Sequence, residues 1–177
     1  MKPLPSPRRR RLTGWLALAP VAAVLSGCGF QLRGAGVQMP FARLLLNAGP
    51  GSELTQVLVP QLRSSGVEVI RETPAQGQPG PDVLLDILQD QRERVVVGTT
   101  AAGQVRELQL RQRVTFRLRT ARGRDLIQTT ELLQERELSF TETQVLGKEE
   151  EEALLYTDMR NAIVRQLMTR LAAVRMP

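Results

Sequence analysis

The sequence predicts an α+β protein: a mixed four- to five-stranded sheet with two helices packed on one face. Three observations carry this expectation. Residues 105–120 alternate at period two, with Leu108, Leu110, Val114, Phe116 and Leu118 on one face and Arg111, Arg113, Thr115, Arg117 and Arg119 on the other. Near the C-terminus Leu155, Met159, Ile163, Leu167 and Leu171 recur every four residues, the stripe of a helix. Short turn signals, not helices, separate three long strand-like segments, which makes them an antiparallel meander. A sheet that meets solvent or a partner on one side has one face to offer, so both helices should share it.

The elements follow in order. Leu44 to Leu46 lie in an apolar run, residues 41–48, which ends at Gly49-Pro50-Gly51 and reads as a first strand. Ser52 is placed to cap a helix from about Glu53 to Ser65, with Leu54, Val57, Leu58 and Leu62 on one side. Pro60 should kink that helix or end it early, and Gly66 should stop it. Residues 67–70 form a short second strand, and Thr73 to Pro81, rich in Pro and Gly, form a loop. A third strand spans Asp82 to Gly98, where Val83, Leu85 and Ile87 alternate and Val95 to Val97 resume after a polar middle. Turns at Thr99 to Gly103 and Ala121 to Gly123 bound the fourth strand, and the fifth runs from Leu126 to Phe140. The last helix spans Gly147 to Val174, with Glu149 to Glu152 in its first turn and Arg160, Arg165, Arg170 and Arg175 towards its end, an order that suits the helix dipole. Met159 and Met168 need no role beyond packing.

The chain begins with the three parts of an export signal. Lys2 and Arg8 to Arg11 are a basic start, Leu12 to Leu25 a short apolar run broken by Gly14 and Pro20, and Leu25-Ser26-Gly27-Cys28 a lipoprotein-processing site around the one cysteine of the protein. The expected organisation is a lipoprotein signal peptide at 1–27, a lipidated linker at 28–40 with Cys28 as the lipid-bearing residue, and one α+β domain at 41–177. Several acyl chains on Cys28 would anchor the protein stably. Gly29, where an Asp would commonly retain a lipoprotein at the inner membrane, favours the periplasmic face of the outer membrane. The arginine run hints at twin-arginine export, although any such start is basic.

Composition removes whole classes of chemistry. The chain has no histidine and one cysteine, so the commonest metal ligand and the commonest neutral-pH base are missing, and a metal site is not expected. Asp86 and Asp90 resemble a carboxylate pair, yet no nucleophile, metal ligand set or phosphate loop accompanies them, and strand aspartates are expected to be exposed. Neither an enzyme nor a cofactor is expected. Aromatics at 3% argue against single-stranded nucleic acid, which needs stacking platforms.

The formal charge of +6 comes from the leader: five of the 24 basic residues precede Cys28 and no acidic one does, which leaves 19 against 18. Charge is instead separated along the chain. Residues 92–124 carry nine Arg against Glu93 and Glu107, and residues 131–158 carry nine acidic residues against Arg136 and Lys148. Arg111, Arg113, Arg117 and Arg119 on one strand face suit clustered phosphates, since guanidinium binds them in a bidentate fork. They equally suit cross-strand pairing with Glu131, Glu135 or Glu137. Lys148 is less easily explained, because cations are disfavoured at a helix start.

Cys28-Gly29-Phe30-Gln31-Leu32-Arg33-Gly34 resembles the mature N-terminus of the LptE family of LPS-assembly lipoproteins (also rare lipoprotein B), with its Cys-Gly-aromatic-x-Leu-Arg pattern. Leu146-Gly147-Lys148-Glu149-Glu150-Glu151 is similar to the family's L-x-K-x-x-E start of a terminal helix. The resemblance implies a non-enzymatic outer-membrane lipoprotein that sits in the lumen of the LptD β-barrel as a one-to-one plug, helps that barrel assemble and binds lipopolysaccharide on its way to the surface. It also implies lipopolysaccharide contacts from basic residues near the long hairpin and at the start of the last helix. Lys148 matches the second. The hairpin tip, Thr99 to Gly103, has no basic residue, and Arg106 is the nearest candidate. The residue-level expectation for lipopolysaccharide is therefore Lys148, Arg106 and the row Arg111, Arg113, Arg117 and Arg119. The alternative is a free-standing periplasmic lipoprotein that binds another polyanion.

Overall fold

The period-two and period-four patterns become a five-stranded sheet under two helices in a computed structural model, which describes residues 38–75, 77–139 and 145–176. Cys28, the leader and the linker up to residue 37 lie outside the described residues, as does Phe140 at the expected end of the fifth strand. The strands are β1 (Arg43–Asn47), β2 (Glu68–Ile70), β3 (Val83–Thr99), β4 (Val105–Thr120) and β5 (Asp125–Ser139); the helices are α1 (Glu53–Ser64) and α2 (Val145–Ala172). The sheet order is β2-β1-β3-β4-β5. β1 is parallel to both β2 and β3, while β3, β4 and β5 form the antiparallel meander, so the sheet is mixed.

Both helices bury their apolar sides on the same sheet face. Leu54, Leu58 and Leu62 of α1 join Ile163, Val164, Leu167 and Leu171 of α2 and Val114, Phe116 and Leu118 of β4 in one buried cluster. The α2 stripe holds from Met159 to Leu171, each of its members fully buried; Leu155 is only partly buried, and Tyr156, Val164 and Met168 widen the stripe. Gly66 ends α1 with φ of 82°, a left-handed conformation that costs a residue with Cβ, and Val67 N–H returns to the Leu62 carbonyl at 3.1 Å.

Four local expectations are corrected. α1 runs through Pro60 to Ser64. Pro60 and Gln56 lie on the exposed side, where water can satisfy the Gln56 carbonyl that the proline leaves without a donor, while Leu54, Leu58 and Leu62 hold the other side down. Ser52 stands at the N-cap position without capping; its Oγ donates to Asp90 Oδ2 at 2.7 Å, and that same oxygen receives Leu54 N–H at 3.4 Å. α2 starts at Val145, so Glu149 to Glu152 lie beyond its first turn. Asp86 is buried, with 6% of its surface exposed.

The polar middle of β3 has a specific cause. A β-bulge between Ile87 and Gln89 leaves Leu88 half exposed and shifts the strand by one residue. Before it, Val83, Leu85 and Ile87 face the helices; after it, the residues paired with the core side of β4 are Asp90, Arg92, Arg94 and Val96. The bulge thus turns polar side chains towards the helices. They divide the core in two, with Leu108, Leu110, Leu138, Tyr156 and Met159 forming a separate cluster beyond them.

Candidate functional site

Three regions carry polar chemistry: the seam inside the core, the open face of the sheet, and the end where β3 turns into β4. In the seam, Asp90 Oδ1 accepts from Gln112 Nε2 at 2.7 Å, and Gln112 Oε1 accepts from Arg92 Nε at 3.3 Å. Arg92 and Arg160 both pair with Glu53, the latter at 2.6 Å. The Arg92 guanidinium stands 4.9 Å from the centre of the Tyr156 ring, whose hydroxyl donates to the Glu93 carbonyl at 2.9 Å. Burial, and after it the Glu152 carboxylate, pushes the Tyr156 phenol up from its ordinary value. A cleft of about 360 Å³ opens between Gly49 to Glu53 and Asp90, Arg92, Gln112 and Arg160. Two guanidiniums face two carboxylates here, so the seam is balanced and fastens α1 and α2 to the sheet. None of this network was foreseen from the sequence; the one available signal was the run of polar residues inside a strand otherwise fit for burial.

On the open face the four arginines stand in the expected row, and each has a carboxylate beside it. Arg111 Nε lies 2.9 Å from Glu135 Oε1; Arg113 lies 2.6 Å from Glu131 and 3.5 Å from Glu93; Arg117 and Arg119 each lie 2.8 Å from the one Asp86 Oδ2. The register places these groups directly opposite or diagonal to one another on β3, β4 and β5. The Glu131 carboxylate raises the Arg113 guanidinium further above its ordinary value. Burial alone would push the Asp86 carboxyl up, but bonds from Asn47, Arg117 and Arg119 outweigh it and hold the carboxyl below the ordinary range. The charge separation along the sequence is therefore folded back on itself: the basic strand lies between strands that carry its counter-ions.

The hairpin end differs. Arg106 is exposed at the start of β4 and makes no ion pair among the described residues. Val96, Val97 and Val105, at the same end of the hairpin, are 50%, 50% and 43% exposed. The register Glu107↔Ser139 brings the end of β5 to this place. The α2 residues Tyr156 and Met159 pack on Leu108, Leu110 and Leu138, and Glu152 pairs with Arg94 at 3.3 Å, so the first turns of α2 lie over the same end. Lys148, one turn before Glu152, is partly buried and donates to Glu151 Oε2 at 2.7 Å. The fold thus brings Lys148 and Arg106 to one end, places Arg111 and Arg113 mid-strand, and leaves Arg117 and Arg119 at the opposite end of β4. Apolar valines beside cations suit an amphiphile that carries both acyl chains and anionic groups.

Comparison with known proteins settles the family. The family model LptE, lipopolysaccharide-assembly, matches residues 37–171, most of the chain. The chain belongs to the LptE family. That family is non-enzymatic, and its members are lipoproteins of lipopolysaccharide assembly, so this chain has a role in lipopolysaccharide assembly. The solution structure of an uncharacterized lipoprotein B from Nitrosomonas europaea is similar at TM-score 0.68 and 29% identity, covering 82% of this chain and 91% of that one. Crystal structures of a rare lipoprotein B from Shewanella oneidensis (TM-score 0.60, 22% identity, 74% and 94% covered) and of a minor lipoprotein from Acinetobacter baumannii (TM-score 0.60, 18% identity, 78% and 99% covered) share the fold. No curated protein matches the chain. Cys28 precedes the span that the LptE family model covers.

Proposed function

We propose that this chain is an outer-membrane lipoprotein, anchored through Cys28 on the periplasmic face, that plugs the LptD β-barrel one-to-one, helps it assemble and binds lipopolysaccharide in transit. Membership of the LptE family supports the pathway and the barrel partner. The observation that carries the binding site is the hairpin end, where Val96, Val97 and Val105 are exposed near Arg106, which makes no ion pair among the described residues, beside the α2 turn that holds Lys148. Acyl chains meet the valines; lipid A phosphates meet the cations, Lys148 releasing Glu151 to do so. Arg111, Arg113, Arg117 and Arg119 are the secondary contact. Each retains guanidinium donors beyond its present ion pair and can present them to phosphate or to barrel carboxylates.

Affinity purification from detergent-solubilised outer membranes tests the plug. A single large β-barrel should co-purify at one-to-one ratio, and mass spectrometry should find an acylated Cys28 at the N-terminus. Recovery as a solitary species with an intact leader and a free thiol would overturn both the plug and the anchor.

A further inference from the structure

We infer that the outer edge of β5 is a docking edge for an extended, cationic polypeptide segment of another protein, which adds to the sheet as its next strand. This inference goes beyond the glycolipid reading and does not depend on it.

β5 is the terminal strand of the sheet, and among the described residues nothing pairs with its outer side. Its pairing with β4 is unbroken from Thr130 to Ser139. Over that stretch it has no proline and no bulge; its charges are Glu131, Glu135 and Glu137 on the open face and Arg136 on the helix side, so the edge refuses some strands by charge, not by backbone. Alternate backbone groups there point away from β4 and lack a ladder partner.

The occupant's chemistry follows from charge. On the open face, β3 presents Asp86 and Glu93, β4 presents arginines, and β5 presents Glu131, Glu135 and Glu137. Sign thus alternates strand by strand, and β5 ends the series on negative. Glu131 and Glu135 each already bond an arginine on the inner side, and Glu137 has no ion pair among the described residues. A strand with Lys or Arg at every second position would continue the series and complete this acidic column. Leu133, 37% exposed within the column, offers an apolar contact to one residue of that strand. A second copy of this chain does not fit: β5 against β5 would oppose one acidic column to another, which is destabilising. The same glutamates thus discourage self-association while admitting a cationic partner.

The test uses the full-length protein in non-ionic micelles and an octapeptide alternating lysine and valine. Amide hydrogen exchange read by NMR should show protection at every second residue between Thr130 and Ser139. Glu131→Gln, Glu135→Gln and Glu137→Gln together should weaken the peptide by about tenfold at low salt. The same peptide N-methylated on alternate residues keeps its charge but loses one bonding edge; of the two possible methylated sets, one should fail to bind. Equal binding of both sets, equal binding of a glutamate-valine octapeptide, or concentration-dependent protection of β5 without peptide would each overturn the inference. Lipopolysaccharide binding by the single variant Glu137→Gln, whose carboxylate pairs with none of the arginines proposed to meet phosphate, should be unchanged, which separates failure here from failure of the proposed function.

Discussion

Asp86 of β3 ties its strand to both neighbours, β1 and β4. Its carboxylate takes Asn47 of β1 at 2.7 Å and both Arg117 and Arg119 of β4 at 2.8 Å. Asp86→Ala should cost about 2 kcal/mol in urea unfolding at neutral pH, because two half-buried guanidiniums lose their shared counter-ion. The pH dependence has a definite sign. A carboxyl whose folded pKa is depressed contributes in full above its unfolded value, about 3.9, and loses that contribution as pH falls through its lower folded value. The stability difference between the native protein and Asp86→Asn should therefore shrink as pH is lowered below about 4. Tyr156 offers a second check: Tyr156→Phe keeps the ring on Leu108 and Leu110 but removes the hydroxyl bond to the Glu93 carbonyl, at a cost of about 1 kcal/mol in the same assay. Neither role was visible in the sequence. The arginines paired with buried Asp86 come from β4, and nothing local to residues 84–88 announces them.

At the scale of elements, the strands were the most legible part. β4 has the bounds that its alternation gives, since Leu108 to Leu118 and Arg111 to Arg119 differ in kind at every step. The turns were legible because Gly103 and Gly123 take left-handed φ of 80° and 85°, which few residues other than glycine tolerate. β3 was harder. Its bulge at Leu88 reverses which face is buried, and period-two reading cannot cross a change of phase. The capping of α1 was missed for a related reason: its partner, Asp90, lies 36 residues from Leu54 in sequence and arrives only when β3 does. Pro60 within α1 marks a local preference overridden by packing. Pro60→Ala should restore a donor to the Gln56 carbonyl and raise thermal stability by about 1 kcal/mol, read as an upward shift of the unfolding midpoint. A drop would show that the proline ring contributes a contact the helix depends on.

The described domain is a sheet with a covered face, an ion-paired open face and an amphiphilic end. The candidate cations were all legible as residue types, but their differing availability was not. Arg111, Arg113, Arg117 and Arg119 looked alike in the sequence and prove to be held by Glu93, Glu131, Glu135 and Asp86, whereas Arg106 and Lys148, separated by the whole of β4 and β5, come to one end. The cross-strand pairing considered for Glu131 and Glu135 is present. The pairs of Arg111 and Arg113 with exposed glutamates contribute little each, unlike those on buried Asp86, and their effect is to favour this register.

The most direct measurement is lipopolysaccharide binding by the full-length protein with Arg106→Glu and Lys148→Glu combined. As a control of equal charge change, Arg165→Glu and Arg170→Glu alter two exposed positions in the C-terminal half of α2. The expected result is a loss of at least about tenfold in the first pair, since a hydrogen bond to a charged group contributes about 1.5 kcal/mol, and little change in the second. Equal affinity in the native protein and the Arg106/Lys148 variant, at matched ionic strength, would contradict a glycolipid site at the hairpin end.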